Sequence, residues 1–137
     1  QLFVLQAELS LPGLIYAIAL PQNSTAPLPF QISQGVDSKN QPAVAAAFNG
    51  TTLAVDGSLN PVRVALRNLT ANTTYDVYYV PAINVPGDIK VGASVFKVTG
   101  KVSGSSSNST KTVYAQRLYG FGAFVSLIIL LVLSNFQ

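Results

Sequence analysis

Leu69-Thr70-Ala71-Asn72-Thr73-Thr74-Tyr75-Asp76-Val77-Tyr78 passes from small polar residues into aromatic and β-branched ones. That change predicts a strand from Tyr75 to Ala82, opened by a polar turn. Just upstream, Val62–Asn68 sets Val62, Val64 and Leu66 against Arg63, Ala65 and Arg67, the alternation of a half-buried strand. Further back, Leu2–Leu9 carries Phe3, Leu5, Ala7 and Leu9 on one face, and after Pro12-Gly13 the run LIYAIAL (Leu14–Leu20) is apolar enough for a central strand. Pro21–Asn40 holds three prolines and reads as loop, with one short turn of helix around Gln31–Gln34. Asn49-Gly50, between Ala43–Phe48 and Thr52–Val55, predicts a two-residue hairpin, and Asp56-Gly57 marks the next turn. Ala93–Val102 closes the series, with Phe96, Val98 and Val102 opposed to Lys97, Thr99 and Lys101. Between these last strands, Pro81 and Pro86 confine pairing to edges and loops. Short strands with turn signals every 8–12 residues or so predict a mainly β protein, a single sandwich over residues 1–102.

The segment quoted first resembles the signature of fibronectin type III and related immunoglobulin-like modules, in which Leu-x-Pro-x-Thr-x-Tyr-x-Val leads into a late strand. Leu69, Thr73, Tyr75 and Val77 match, with Ala71 where Pro is usual. The earlier GLIYAIALP resembles the second- or third-strand segment of the same modules. The resemblance covers roughly residues 10–100. It implies an immunoglobulin-like or fibronectin III-like sandwich whose Tyr75 buries its ring and returns its hydroxyl to backbone a few residues upstream. It also implies that Val77 and Tyr79 face the core while Asp76 and Tyr78 face out. Two departures stand against it: the chain has no Trp, and the loop Pro21–Asn40 is longer than usual. Such folds host adhesion, scaffolding and recognition alike, so the fold does not name a function.

A Ser-rich linker over 103–117 follows, with SGSSSNST at Ser103–Thr110 reading as flexible chain and Lys111–Arg117 bridging onward. Then Leu118–Gln137 (LYGFGAFVSLIILLVLSNFQ) carries no charge. An apolar stretch of this size is not left in water. Its Leu richness and length favour a helix over a buried strand.

Composition excludes more than it assigns. Only 9% of residues are charged, and the net charge of +3 rests on eight basic residues spread along the chain. Nucleic-acid binding needs such residues clustered. With no Cys and no His, neither a disulfide framework nor a thiolate or imidazole metal site can form, and no cofactor is expected. No pair of carboxylates and no nucleophile–base constellation is visible, so the chain reads as a non-enzyme.

Five Asn-x-Ser/Thr sites occur, at Asn23, Asn49, Asn68, Asn72 and Asn108, where nine Asn and 22 Ser or Thr in 137 residues predict roughly 1.4 by chance. They point to an extracellular glycoprotein, secreted or at the cell surface, carrying N-linked glycans. Gln1 then reads as a mature N-terminus from which a signal has been removed.

Three roles fit the tail. Leu118–Leu133 spans about 24 Å as a helix, short of the roughly 30 Å hydrocarbon core, and no basic residue follows it. Small residues Ser105–Ser107, a polar spacer and an apolar end match a lipid-anchor signal, although a chain that retains the tail argues against cleavage. The leading expectation is self-assembly. Phe121, Phe124, Val125, Leu127, Ile128, Leu130, Leu131 and Leu133 would be buried by neighbouring copies in an extracellular filament, a helical homopolymer formed by non-closing contacts. The alternative is a membrane-anchored surface glycoprotein, spanning or lipid-anchored, with an adhesive or recognition sandwich.

Overall fold

The computed structural model describes residues 1–85, 88–104 and 110–118. In chain order the elements are β1 (Leu2–Leu9), β2 (Leu14–Pro21), α1 (Pro29–Gln34), β3 (Ala45–Gly50), β4 (Val62–Leu66), β5 (Thr74–Val85), β6 (Asp88–Val91), β7 (Phe96–Lys101) and β8 (Thr110–Leu118). The fold is mainly β.

Two sheets form. One has the order β4-β1-β8 and the other β3-β2-β5-β6, with β7 also paired to β5. Neighbours run antiparallel except β8, which lies parallel to β1 from Leu2↔Thr110 to Leu9↔Leu118. The main core joins the sheets: Phe3, Leu5, Ala7, Val62, Val64 and Leu66 from the first meet Ile15, Ala17, Ala19, Val77, Tyr79 and Val98 from the second. This arrangement is compatible with a β-sandwich. Alternation explains it, since successive strand side chains point to opposite faces and the apolar set of each strand shares one face. The expected central strand is β2, flanked by β3 and β5.

Asp76 and Tyr78 do point away from this core, as their alternation requires, yet both are buried. The loop after β2 folds back over the outer face of the second sheet. There α1 sets Ile32 into a second cluster with Ile18, Leu20, Tyr78 and Val80. Pro29 opens α1, where its missing N–H is harmless, and Gly35 closes it at φ 74, a conformation glycine adopts without strain. Gln31 clasps the loop by accepting from Leu28 N–H and donating to Ser38 O and Asn40 Oδ1.

Asn49-Gly50 does not make the expected hairpin. β3 runs through both residues in register with Ile15 and Leu14, and Asn49 Nδ2 donates to Arg63 O across to β4. The turn falls later, at Gly57 (φ 83), within a finger whose flanks meet at Leu53↔Leu59. Ladder pairing with β2 outweighs the local turn preference. In β5, Pro81 sits where the outer edge passes from β7 to β6; with no N–H to donate, it is tolerated at such a change of partner.

Candidate functional site

The register of the strands gives the two ends of the fold unlike chemistry. At the first end β2 and β4 leave and β5 begins. The corner Arg67–Thr73 links the sheets here, and Leu69 N–H donates to Gln1 O, Asn72 N–H to Val102 O and Val102 N–H to Thr73 O. Tyr75 locks this corner. Its ring is 3% exposed and its hydroxyl accepts from Thr70 N–H at 3.0 Å. Leu69 and Val77 are buried beside it, and Thr73 Oγ1 donates to Ala71 O.

Three of the sequon asparagines cluster at this end: Asn23 beyond β2, and Asn68 and Asn72 in the corner. All three are exposed and have positive φ, at 66, 61 and 57°. Asn tolerates this left-handed region better than other side chains with a Cβ. Their backbone geometry alone is thus a reason for Asn at these turns. The carboxamide of Asn72 lies against Gly104, where an added Cβ would come within 2.5 Å of Nδ2. Asn49 is exposed on the β3 edge nearer the opposite end, its amide committed to Arg63 O. Asn108 lies outside the described residues, as do the eight tail residues from Phe121 to Leu133 named above.

The Asn23 turn is anchored from beneath by a buried carboxylate. Asp76 is 1% exposed; Oδ2 accepts from Asn23 N–H at 2.9 Å and Oδ1 from Thr99 Oγ1 at 2.6 Å. The Lys97 ammonium, half exposed, stands 4.0 Å from Oδ2. A buried charge is tolerated only when paired and hydrogen-bonded in this way. Tyr78 donates to Ser24 O from the next outward position, and burial, then the Asp76 charge, raises its phenol pKa. The family resemblance implies that Asp76 and Tyr78 face out; what it does not show is the loop whose Asn23 N–H and Ser24 O they satisfy.

The second end is apolar. The turn Ser10–Gly13, the finger 51–61 and the β5–β6 hairpin meet there. Thr51 N–H donates to Gly13 O, and Gly13 N–H donates to Thr51 Oγ1. Gly13 passes so close to β5 that a Cβ would lie 2.5 Å from Ala82 O. Leu11, Leu53, Val55 and Ile89 are exposed on these three segments, Leu53 to 70%. The finger tip carries Asp56, whose pKa is lowered by hydrogen bonds from the Ser58 hydroxyl and N–H.

β8 connects the two ends. It starts beside Leu2 and finishes beside Leu9, so Lys111–Arg117, the expected bridge from linker to tail, lies within a strand that runs to the apolar end. Among the described residues, no helix is long and apolar enough to cross a membrane, and no three Asp or Glu gather. Comparison with known proteins finds no family model, no curated protein and no solved structure that matches this chain.

Proposed function

We propose that this chain is an N-glycosylated extracellular module, held at a membrane surface by its C-terminal apolar segment, with a binding or structural role rather than catalysis. The direction of β8 carries the reading. By running parallel to β1, it brings Leu118 to the end opposite Asn23, Asn68 and Asn72. The uncharged residues 118–137 therefore continue from the apolar end, while sugars on the other would point away from the bilayer. The reading needs the tail retained, because exchange for a lipid at Ser105–Ser107 would remove β8 together with the tail. The module reads as fibronectin III-like or immunoglobulin-like. In support, Tyr75 returns its hydroxyl to Thr70 at the corner before β5, the arrangement that such modules use there.

Expression of the full chain through a eukaryotic secretory pathway tests this. The expected product loses mass on treatment with peptide N-glycosidase and partitions with detergent. Release by a phosphatidylinositol-specific phospholipase would refute the proposal, since such an anchor replaces β8 and the tail. An unglycosylated product dispersed as monomer in detergent-free buffer would refute the reading.

The filament reading keeps one observation in its favour. β8 is an edge strand whose pairing, among the described residues, is with β1 alone. The same strand offered to β1 of a neighbouring copy would link subunits head to tail. Fibres in detergent-free preparations would favour that reading over anchoring.

A further inference from the structure

We propose that the apolar end of the fold is itself a bilayer-contacting surface, with Leu11, Leu53, Val55 and Ile89 seated at the headgroup boundary of a zwitterionic membrane. The proposal rests on the anchoring reading and names which face of the module meets the lipid. Four exposed apolar side chains on three separate segments share one end, and exposed hydrophobics grouped at loop tips mark contact surfaces. The described chain also stops at this end. Leu118 is paired with Leu9, two residues from Leu11, and the nineteen residues that follow contain no charged side chain. No spacer of polar residues stands between the end of β8 and that apolar segment, so anchoring the segment in a bilayer draws this end against the same bilayer.

The charges at this end set the depth. Asp56 stands next to Val55 at the finger tip, and Asp88 and Lys90 flank Ile89, all five exposed. An ionised carboxylate is costly in hydrocarbon, so the tip enters only as far as the headgroups, where amphipathic loops commonly sit. The register sets Glu8 opposite Arg117 at this end too, so with Asp56, Asp88 and Lys90 the described residues here bring three carboxylates and two cations. An anionic surface gains nothing from them, and a neutral one is the partner that fits. The opposite end carries the exposed Asn23, Asn68 and Asn72, and the exposed Leu28, Phe30 and Val44 lie on the loop that leaves β2 and just before β3 rather than grouped on three tips.

The absence of Trp makes the test clean, since one introduced indole reports a single position. Full-length Leu53→Trp, Val55→Trp and, as a control at the sequon end, Gln22→Trp are each reconstituted with phosphatidylcholine vesicles, plain or brominated. Vesicle flotation reads anchoring, and loss of fluorescence in brominated lipid reads contact. The expected result is flotation of all three variants, with Leu53→Trp and Val55→Trp losing most of their emission and Gln22→Trp retaining it. Flotation with all three unquenched overturns the contact and leaves anchoring standing. Equal quenching at both ends overturns the assigned orientation. A blue-shifted but unquenched indole at residue 53 means that a second copy covers this end, which also overturns it. Failure to float removes anchoring and contact together.

Discussion

Replacing Tyr75 with Phe isolates the side-chain hydrogen bond from a buried ring to the inter-sheet corner. The ring is buried in both residues, so transfer energy is conserved and only the hydroxyl is lost. Thr70 N–H then loses its acceptor at 3.0 Å. A typical hydrogen bond contributes about 0.5–1.5 kcal/mol net, while a buried donor left without a partner costs about 1–3 kcal/mol. Thr70 is itself exposed and its bond part-buried, so water replaces some of the loss and the expected cost is about 1–2 kcal/mol. For a folded unit of this size that is a fall in Tm of roughly 3–8 °C. The assay is denaturant unfolding of the full chain, followed by far-ultraviolet circular dichroism. The midpoint should fall with the slope m unchanged, since the surface exposed on unfolding is the same. Tyr78→Phe is the internal comparison. Its hydroxyl donates to Ser24 O in a surface turn, where water can take its place, and the expected cost is at most about 1 kcal/mol. A Tyr75→Phe protein within about 0.5 kcal/mol of the parent, the usual spread for neutral surface changes, would refute the reasoning, as would a larger cost for Tyr78→Phe.

Asp76→Ala removes the acceptor for both Asn23 N–H and Thr99 Oγ1 and should destabilise by about 2–4 kcal/mol. Amide exchange at Asn23 should accelerate first, and unchanged protection there would count against Asp76 as the anchor of that turn. Gly13→Ala puts a Cβ 2.5 Å from the Ala82 carbonyl oxygen, which is backbone and cannot swing away. The expected loss is about 1–3 kcal/mol by thermal unfolding, as for other overpacked sites. Burial raises the Tyr79 phenol pKa to about 12. The folded state thus holds this proton more tightly than the unfolded chain, so its contribution is complete below pH 10 and is lost as pH rises toward 12. Stability should fall across that window by about 1–3 kcal/mol, and Tyr79→Phe should flatten the fall. An equally steep decline in the variant would assign it to other groups.

Strand patterning was readable where one face meets the core. β1, β2, β4 and β7 follow the alternation of Phe3, Leu5 and Ala7, of Ile15, Ala17 and Ala19, of Val62, Val64 and Leu66, and of Val98 against Lys97 and Thr99. Asp76 and Tyr78 take the outer face as expected but are buried there, because alternation says which face a side chain takes and nothing about what covers that face. The covering loop comes from more than thirty residues earlier in the chain, held by contacts such as Tyr78 to Ser24 and Asp76 to Asn23. Asn49-Gly50 was misread for a related reason: turn propensity is local and weak, and a full ladder to β2 overrides it. β6 was hidden by Pro81 and Pro86 just before it, and β8 by its polar composition and a partner at the other end of the chain.

The candidate sites divide in the same way. The sequons, the apolar tail and the missing Cys and His are properties of composition and adjacency, and the sequence by itself determines them. Their arrangement is not a local property. Asn23, Asn68 and Asn72 share an end because antiparallel pairing of β2 with β5 brings the exit of one strand to the start of the other. Leu118 reaches the opposite end because β8 pairs with β1 in parallel; antiparallel pairing would have returned it to the sequons. Strand direction and register depend on contacts between residues far apart in sequence, made only when the two sheets close on a common core. Only the tertiary structure could decide which end gathers these sequons and which receives Leu118 beside the exposed apolar tips.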